Sequence, residues 1–123
     1  MLEDYKKHCK KREEMGIPPL PLSAEQTADV VNLLKKEHQD NELLLHLLKE
    51  RVPAGVDDAA YVKAGFLSDL TKGETESPYI SKEDAVAILG TMLGGYNIQP
   101  LIDCLEIEGL ADDAATALSN TLL

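Results

Sequence analysis

At 123 residues, with 12 basic against 22 acidic side chains, the chain is one domain in size and carries a net charge of −10. That balance argues against a protein that tracks phosphates, and a chain of this length buries roughly two-thirds of its unfolded surface, so it needs neither disulfides nor metal to hold together. The 44% apolar content is drawn mostly from Leu, Ala and Val, with one Phe and no Trp, which suits helix cores better than strand cores or stacking platforms.

The local signals predict seven helices. The first spans about 2–15, with Leu2, Tyr5, Cys9 and the stem of Arg12 along one face and Gly16 as its stop. Residues 16–22 (GIPPLPL) place three prolines in four positions, which forces an extended connector. Ile17, Leu20 and Leu22 suggest that it lies against the core. Ser23 with Gln26 forms a capping box for the second helix, whose buried stripe is Val30, Val31, Leu33 and Leu34. Asp40 or Asn41 caps a third helix, 42–52, on which Leu43, Leu44, Leu45, Leu47 and Leu48 cover most of the circumference. A helix of that kind is sandwiched between neighbours.

Pro53 and Gly55 end the third helix, and Asp57 caps the fourth, 58–72, on which Tyr61, Val62, Phe66, Leu67 and Leu70 recur at helical spacing before Gly73. The polar loop 73–80 leads to Ser81 and Asp84, which cap a fifth helix. This helix carries Ala85, Val86, Ile88, Leu89 and Met92 and stops at Gly94-Gly95. Asn97 caps the sixth, Pro100 falls in its first turn, Leu101, Ile102 and Leu105 face inward, and Gly109 closes it. The seventh, about 111–123, uses Ala114, Ala115, Leu118 and Leu122. No alternating strand pattern of useful length occurs. Short connections imply antiparallel hairpins at 24–52, 58–94 and 97–123, each about 30–35 residues, the period of a helical-repeat solenoid. Within one domain, 1–123, this separates an N-terminal helix and Pro-rich connector (1–22) from three hairpins (23–123). The apolar ending Thr121-Leu122-Leu123 carries no stop signal, which suggests that more polypeptide follows.

Charge is unevenly spread. Residues 1–15 hold five bases interleaved with four acids, a solvated helix face, whereas after Lys82 there are seven acids and no base. Nucleic acid is therefore an unfavoured partner for this segment. Cys9 and Cys104 are far apart and lack a C-x-x-C partner, consistent with free thiols in a reducing cytosol. The start MLEDYKK has no apolar leader, and no apolar run reaches membrane-spanning length, so a soluble, cytoplasmic protein is expected.

A search for chemistry finds no catalytic, cofactor-binding or metal-binding residue. His8, His38 and His46 match no metal-ligand spacing, and His46 reads as a partly buried or groove-facing side chain. Adjacent carboxylates at Asp57-Asp58 and Asp112-Asp113 point about 100° apart on a helix and suit helix starts. Gly94-Gly95 lacks a preceding strand and a Gly-Lys-Ser continuation, so it reads as a terminator and not a phosphate loop. Tyr61, Phe66, Tyr79 and Tyr96 are too dispersed in sequence for a base-stacking platform.

Several stretches together resemble aconitase B, the bacterial aconitate hydratase family. They are 51–57 (RVPAGVD), 59–67 (AAYVKAGFL), 89–103 (LGTMLGGYNIQPLID) and 117–123 (ALSNTLL), with MLEDYKKH and GIPPLPL at the start. Gln99 and Asn120 stand where that family commonly has histidine. The resemblance implies a HEAT-like α-α superhelix preceding the aconitase-type domains of a longer enzyme of the tricarboxylic acid cycle. Such an enzyme interconverts citrate and isocitrate through cis-aconitate on a [4Fe-4S] cluster held by three cysteines of a later domain, and can also hydrate 2-methyl-cis-aconitate. It further implies that this segment serves protein–protein association: with the rest of the polypeptide, in a homodimer, or with another protein. RNA binding is attributed to the parent as a whole. The competing expectation, from the residues alone, is a free-standing helical adaptor or regulator.

Overall fold

A computed structural model describes residues 2–55 and 57–120. Among them are seven α-helices and no strand: α1 Leu2–Glu14, α2 Ala24–Leu34, α3 Asn41–Glu50, α4 Asp58–Lys72, α5 Lys82–Gly90, α6 Ile98–Cys104 and α7 Ala111–Ser119. The all-helical class read from the punctuation is the one observed. The proposed ending of the last helix at 120–123 lies largely outside the described residues.

Local signals explain where α2, α4 and α5 begin. The Ser23 hydroxyl accepts from the Gln26 N–H while the Ser23 N–H donates to the Gln26 side chain, and Ser81 and Asp84 repeat the exchange at α5. The Asp57 carboxylate accepts from the Ala59 N–H at 2.8 Å and starts α4. Two anticipated caps take other partners. Asp40 makes no cap hydrogen bond to α3, because its carboxylate turns to Lys6 of α1 at 3.3 Å. Asn97 makes none to α6; its buried amide donates to Leu89 O at 2.8 Å and Met92 O at 3.2 Å, closing the C-terminal end of α5 instead.

The packing is pairwise and stacked. α2 packs on α3 and α4, α4 on α5 and α6, α5 on α6 and α7, and α6 on α7. Helices α2, α4 and α6 therefore lie side by side as one layer, with α3, α5 and α7 on their other side. Leu34, Leu44, Leu48, Leu67, Leu89 and Leu101 are fully buried between the layers. At about 25 cal/mol per Å² of apolar surface removed from water, each such leucine contributes roughly 2–3 kcal/mol before the entropy of ordering it is subtracted. Thr27 and Thr71 are buried in this core because their hydroxyls donate to the backbone carbonyls of Ser23 and Ser68.

Three segments depart from the expected layout. α5 ends at Gly90 and not at Gly94-Gly95. Gly94 serves a different purpose: at φ +100° it lies against the backbone of Gly55, whose N–H donates to Leu93 O, and a Cβ there would run into Gly55. α6 stops at Cys104, so its inward stripe is Leu101 and Cys104, while Ile102 and Leu105 remain 43% and 40% exposed. In α7, Ala114 is buried and Ala115 is not.

The proline-rich connector lies on the domain as expected, but polar groups hold most of it. Arg12 Nε donates to Pro18 O, Arg51 to Pro19 O and Tyr5 Oη to Leu20 O, each at 2.9 Å, while His8 Nε2 accepts from the Leu20 N–H at 3.0 Å. Tyr5, His8 and Arg12 follow helical spacing, so one face of α1 holds Pro18 and Leu20 while Arg51, just past α3, holds Pro19 between them, in an extended chain whose prolines offer carbonyls but no N–H. Leu22 is buried at its end, whereas Ile17 and Leu20 stay exposed.

Candidate interaction groove

The layer α2–α4–α6 has an open groove of about 600 Å³ on its surface. α4 supplies its floor, through Tyr61, Gly65, Ser68, Asp69 and Lys72. α2 contributes Val31 and Lys35, and the start of α6 contributes Tyr96, Gln99 and Asp103. The α4 residues 61, 65, 68 and 72 recur at three- and four-residue steps, with 69 beside them, so they share one face that borders the buried stripe of Ala60, Ala64 and Leu67.

Both ends of the groove are ordered by side-chain contacts. At one end the rings of Tyr61 and Tyr96 meet edge to face, 5.4 Å between centroids and 72° between planes. Tyr61 was expected in the apolar stripe, yet it is 64% exposed: its position leads out of the core and into the groove. At the other end Lys72 Nζ lies 3.3 Å from Asp103 Oδ2, and Gln99 Nε2 donates to Asp103 Oδ1 at 2.9 Å. The Gln99 hydrogen bond, then the Lys72 contact, hold the Asp103 carboxyl below its ordinary value. Aromatic anchors with a polar rim are the usual make-up of a protein-binding surface.

A second, smaller groove of about 390 Å³ runs between α1 and α3 and is lined in part by Tyr5, Cys9, Leu43 and His46. His46 is exposed there, which agrees with its expected groove-facing placement. A small recess of about 130 Å³ lies where the C-terminal ends of α3 and α5 approach α4 and is lined in part by Lys63. Only 5% of Lys63 is exposed; its Nζ donates to Lys49 O at a long 3.5 Å, and burial pushes its pKa down to about 8 against an opposing pull from Glu50.

The other groups considered from the sequence remain apart. His8 supports the connector. His38 sits in the α2–α3 turn, where its Nδ1 accepts from the Asp40 N–H and its backbone carbonyl accepts from the Tyr79 hydroxyl. Asp57-Asp58 and Asp112-Asp113 stand at the starts of α4 and α7. Cys9 is partly buried on α1 and Cys104 fully buried on α6, both as free thiols. Among the described residues no group of three or more His, Cys, Asp or Glu side chains could hold a metal ion. Nor is any helix there long and apolar enough to cross a membrane.

The pairing of Tyr61 with Tyr96 was not legible from the sequence, since 35 positions separate them. The available signal was Tyr61, Gly65, Asp69 and Lys72 sharing one helix face outside the apolar stripe. Because the rings meet edge-on, they do not present the run of parallel faces that stacked bases require.

Comparison with known proteins follows the whole chain. The family described as "Aconitate B N-terminal domain" matches residues 4–123. Aconitate hydratase B of Escherichia coli (strain K12) is 56% identical over 124 aligned positions, and that of Salmonella typhimurium (strain LT2) is 57% identical over 124. The Synechocystis protein of the same name is 53% identical over 126. Each alignment takes in 100% of this chain and 14% of the relative, so the chain spans about one-seventh of the length of the curated relatives it matches.

Proposed function

Because the chain belongs to the Aconitate B N-terminal domain family, we propose that it is the non-catalytic interaction domain of an aconitate hydratase B. The parent enzyme is a hydro-lyase interconverting citrate and isocitrate through cis-aconitate. The observation that carries the proposal is the placement of the match: the whole chain aligns with one-seventh of each relative, under a family description that places it at the N-terminus. The [4Fe-4S] cluster of such an enzyme does not fit the residues here. It needs three thiolates close together, and this chain has two cysteines, one on α1 and one buried on α6. No step of the hydratase reaction is therefore assigned to these residues.

The interaction role is supported by the groove on α2, α4 and α6, with its exposed Tyr61 and its fixed polar end. Side-by-side stacking of α2, α4 and α6 supports the HEAT-like reading, with 1–22 as an N-terminal extension and 23–123 as three stacked pairs. A protein partner, either the rest of the polypeptide or a second subunit, suits a surface of this charge better than RNA does.

The test is direct. Purified 1–123, incubated under reducing conditions with iron and sulfide, is assayed for loss of the ultraviolet absorbance of cis-aconitate beside the complete hydratase. No turnover is expected from the 123-residue chain. Turnover by it would overturn the proposal.

A further inference from the structure

Gly65 sits in the interior of α4, on the floor of the groove, and is exposed. Its φ is not positive, so no turn requires glycine there, and a Cβ built on it meets nothing within 4 Å. Glycine is nonetheless the weakest helix former after proline at an interior position. Among the described residues a side chain at 65 would cost nothing in space and would gain in helix propensity. The bare backbone is therefore explained by something outside them that approaches α4 closely, as small residues let one helix settle against another.

The flanking residues agree with an occupant. Tyr61 lies one turn before Gly65 on the same face and is braced by Tyr96, so its ring is held beside the bare backbone. Lys72 and Asp103 pair α4 with α6 further along the groove. On these grounds we propose that the groove seats a helix from the remainder of the hydratase polypeptide, crossing α4 at Gly65 between Tyr61 and the Lys72–Asp103 pair. This deepens the functional proposal above and rests on it. The occupant is taken from the same polypeptide because about six-sevenths of the relatives' length lies outside the segment matched here.

The experiment compares Gly65→Ala in two settings by hydrogen exchange of the α4 amides. In the 123-residue chain the substitution slows α4 exchange roughly five-fold, because the helix is stabilised and nothing is struck. In the complete hydratase the same methyl meets the seated helix, so α4 exchange is unchanged or faster. Equal slowing in both settings overturns the proposal. In parallel, Tyr61→p-benzoylphenylalanine in the complete enzyme is irradiated and mapped by mass spectrometry. A cross-link within one chain to a helix beyond position 123 is expected. A cross-link between two chains, or none, overturns it. The outcome is separable from the functional proposal, because failure of that proposal reads as hydratase turnover by the 123-residue chain, whatever occupies the groove.

Discussion

Replacing Lys63 with methionine tests how a buried charge shapes the pH dependence of this fold. The ammonium is almost wholly buried, has one long hydrogen bond to Lys49 O at the end of α3, and its pKa falls from 10.5 to about 8. A folded value lowered by that much corresponds to about 3 kcal/mol of cost while the group is protonated in both states, at 1.36 kcal/mol per unit. The sign follows from proton binding. Between pH 8 and 10.5 the unfolded chain keeps the Lys63 proton and the folded chain has given it up, so stability rises with pH across that window; below pH 8 the full cost applies. Methionine keeps much of the length and removes the charge. Urea unfolding followed by far-ultraviolet circular dichroism, on both proteins at pH 7 and pH 9.5, reads the effect. The stability difference between Lys63→Met and the parent sequence is expected to shift by about 2 kcal/mol, in favour of the parent sequence, on going to the higher pH. Titrations common to both chains cancel in that comparison. A difference that stays constant between the two pH values would refute the assignment of a desolvated ammonium to Lys63.

Asn97→Ala leaves the carbonyls of Leu89 and Met92 without their buried donor, and urea unfolding should show a loss of about 2 kcal/mol. Gly94→Ala places a Cβ against the Gly55 backbone at a positive φ, with an expected cost of about 2 kcal/mol or more and a visible fall in melting temperature. Asp103 has a lowered folded pKa, so its contribution to stability is present above its ordinary value of 3.8 and is lost as pH falls through the lower folded value. In Gln99→Leu, carboxyl-detected NMR titration should place the Asp103 midpoint higher than in the parent sequence, because the larger of its two stabilising hydrogen bonds is gone.

Helix content and most helix starts could be read along the chain because their causes are local. A capping box needs only residues three apart, so Ser23 with Gln26 and Ser81 with Asp84 act the same way in any context. The apolar spacing of α5 likewise marked its buried face, since Ala85, Val86, Ile88 and Leu89 all lie in the core, as does Met92 just beyond its end. Family membership was legible for a related reason: the matching segments run in order along the whole chain.

Tertiary structure decided what the polar and small residues do, because their partners are distant in sequence. Asn97 had the composition of a cap for α6, but burial put its amide within reach of the carbonyls of Leu89, in the last turn of α5, and Met92, just beyond it. Asp40 left its own helix for Lys6, 34 positions away. Gly94 had the look of a helix terminator and proved to be a point where two stretches of backbone touch. The groove itself belongs to this second class. Tyr61 and Tyr96, and Lys72 and Asp103, become neighbours only when α6 is laid beside α4, so no local pattern could have marked them as one surface.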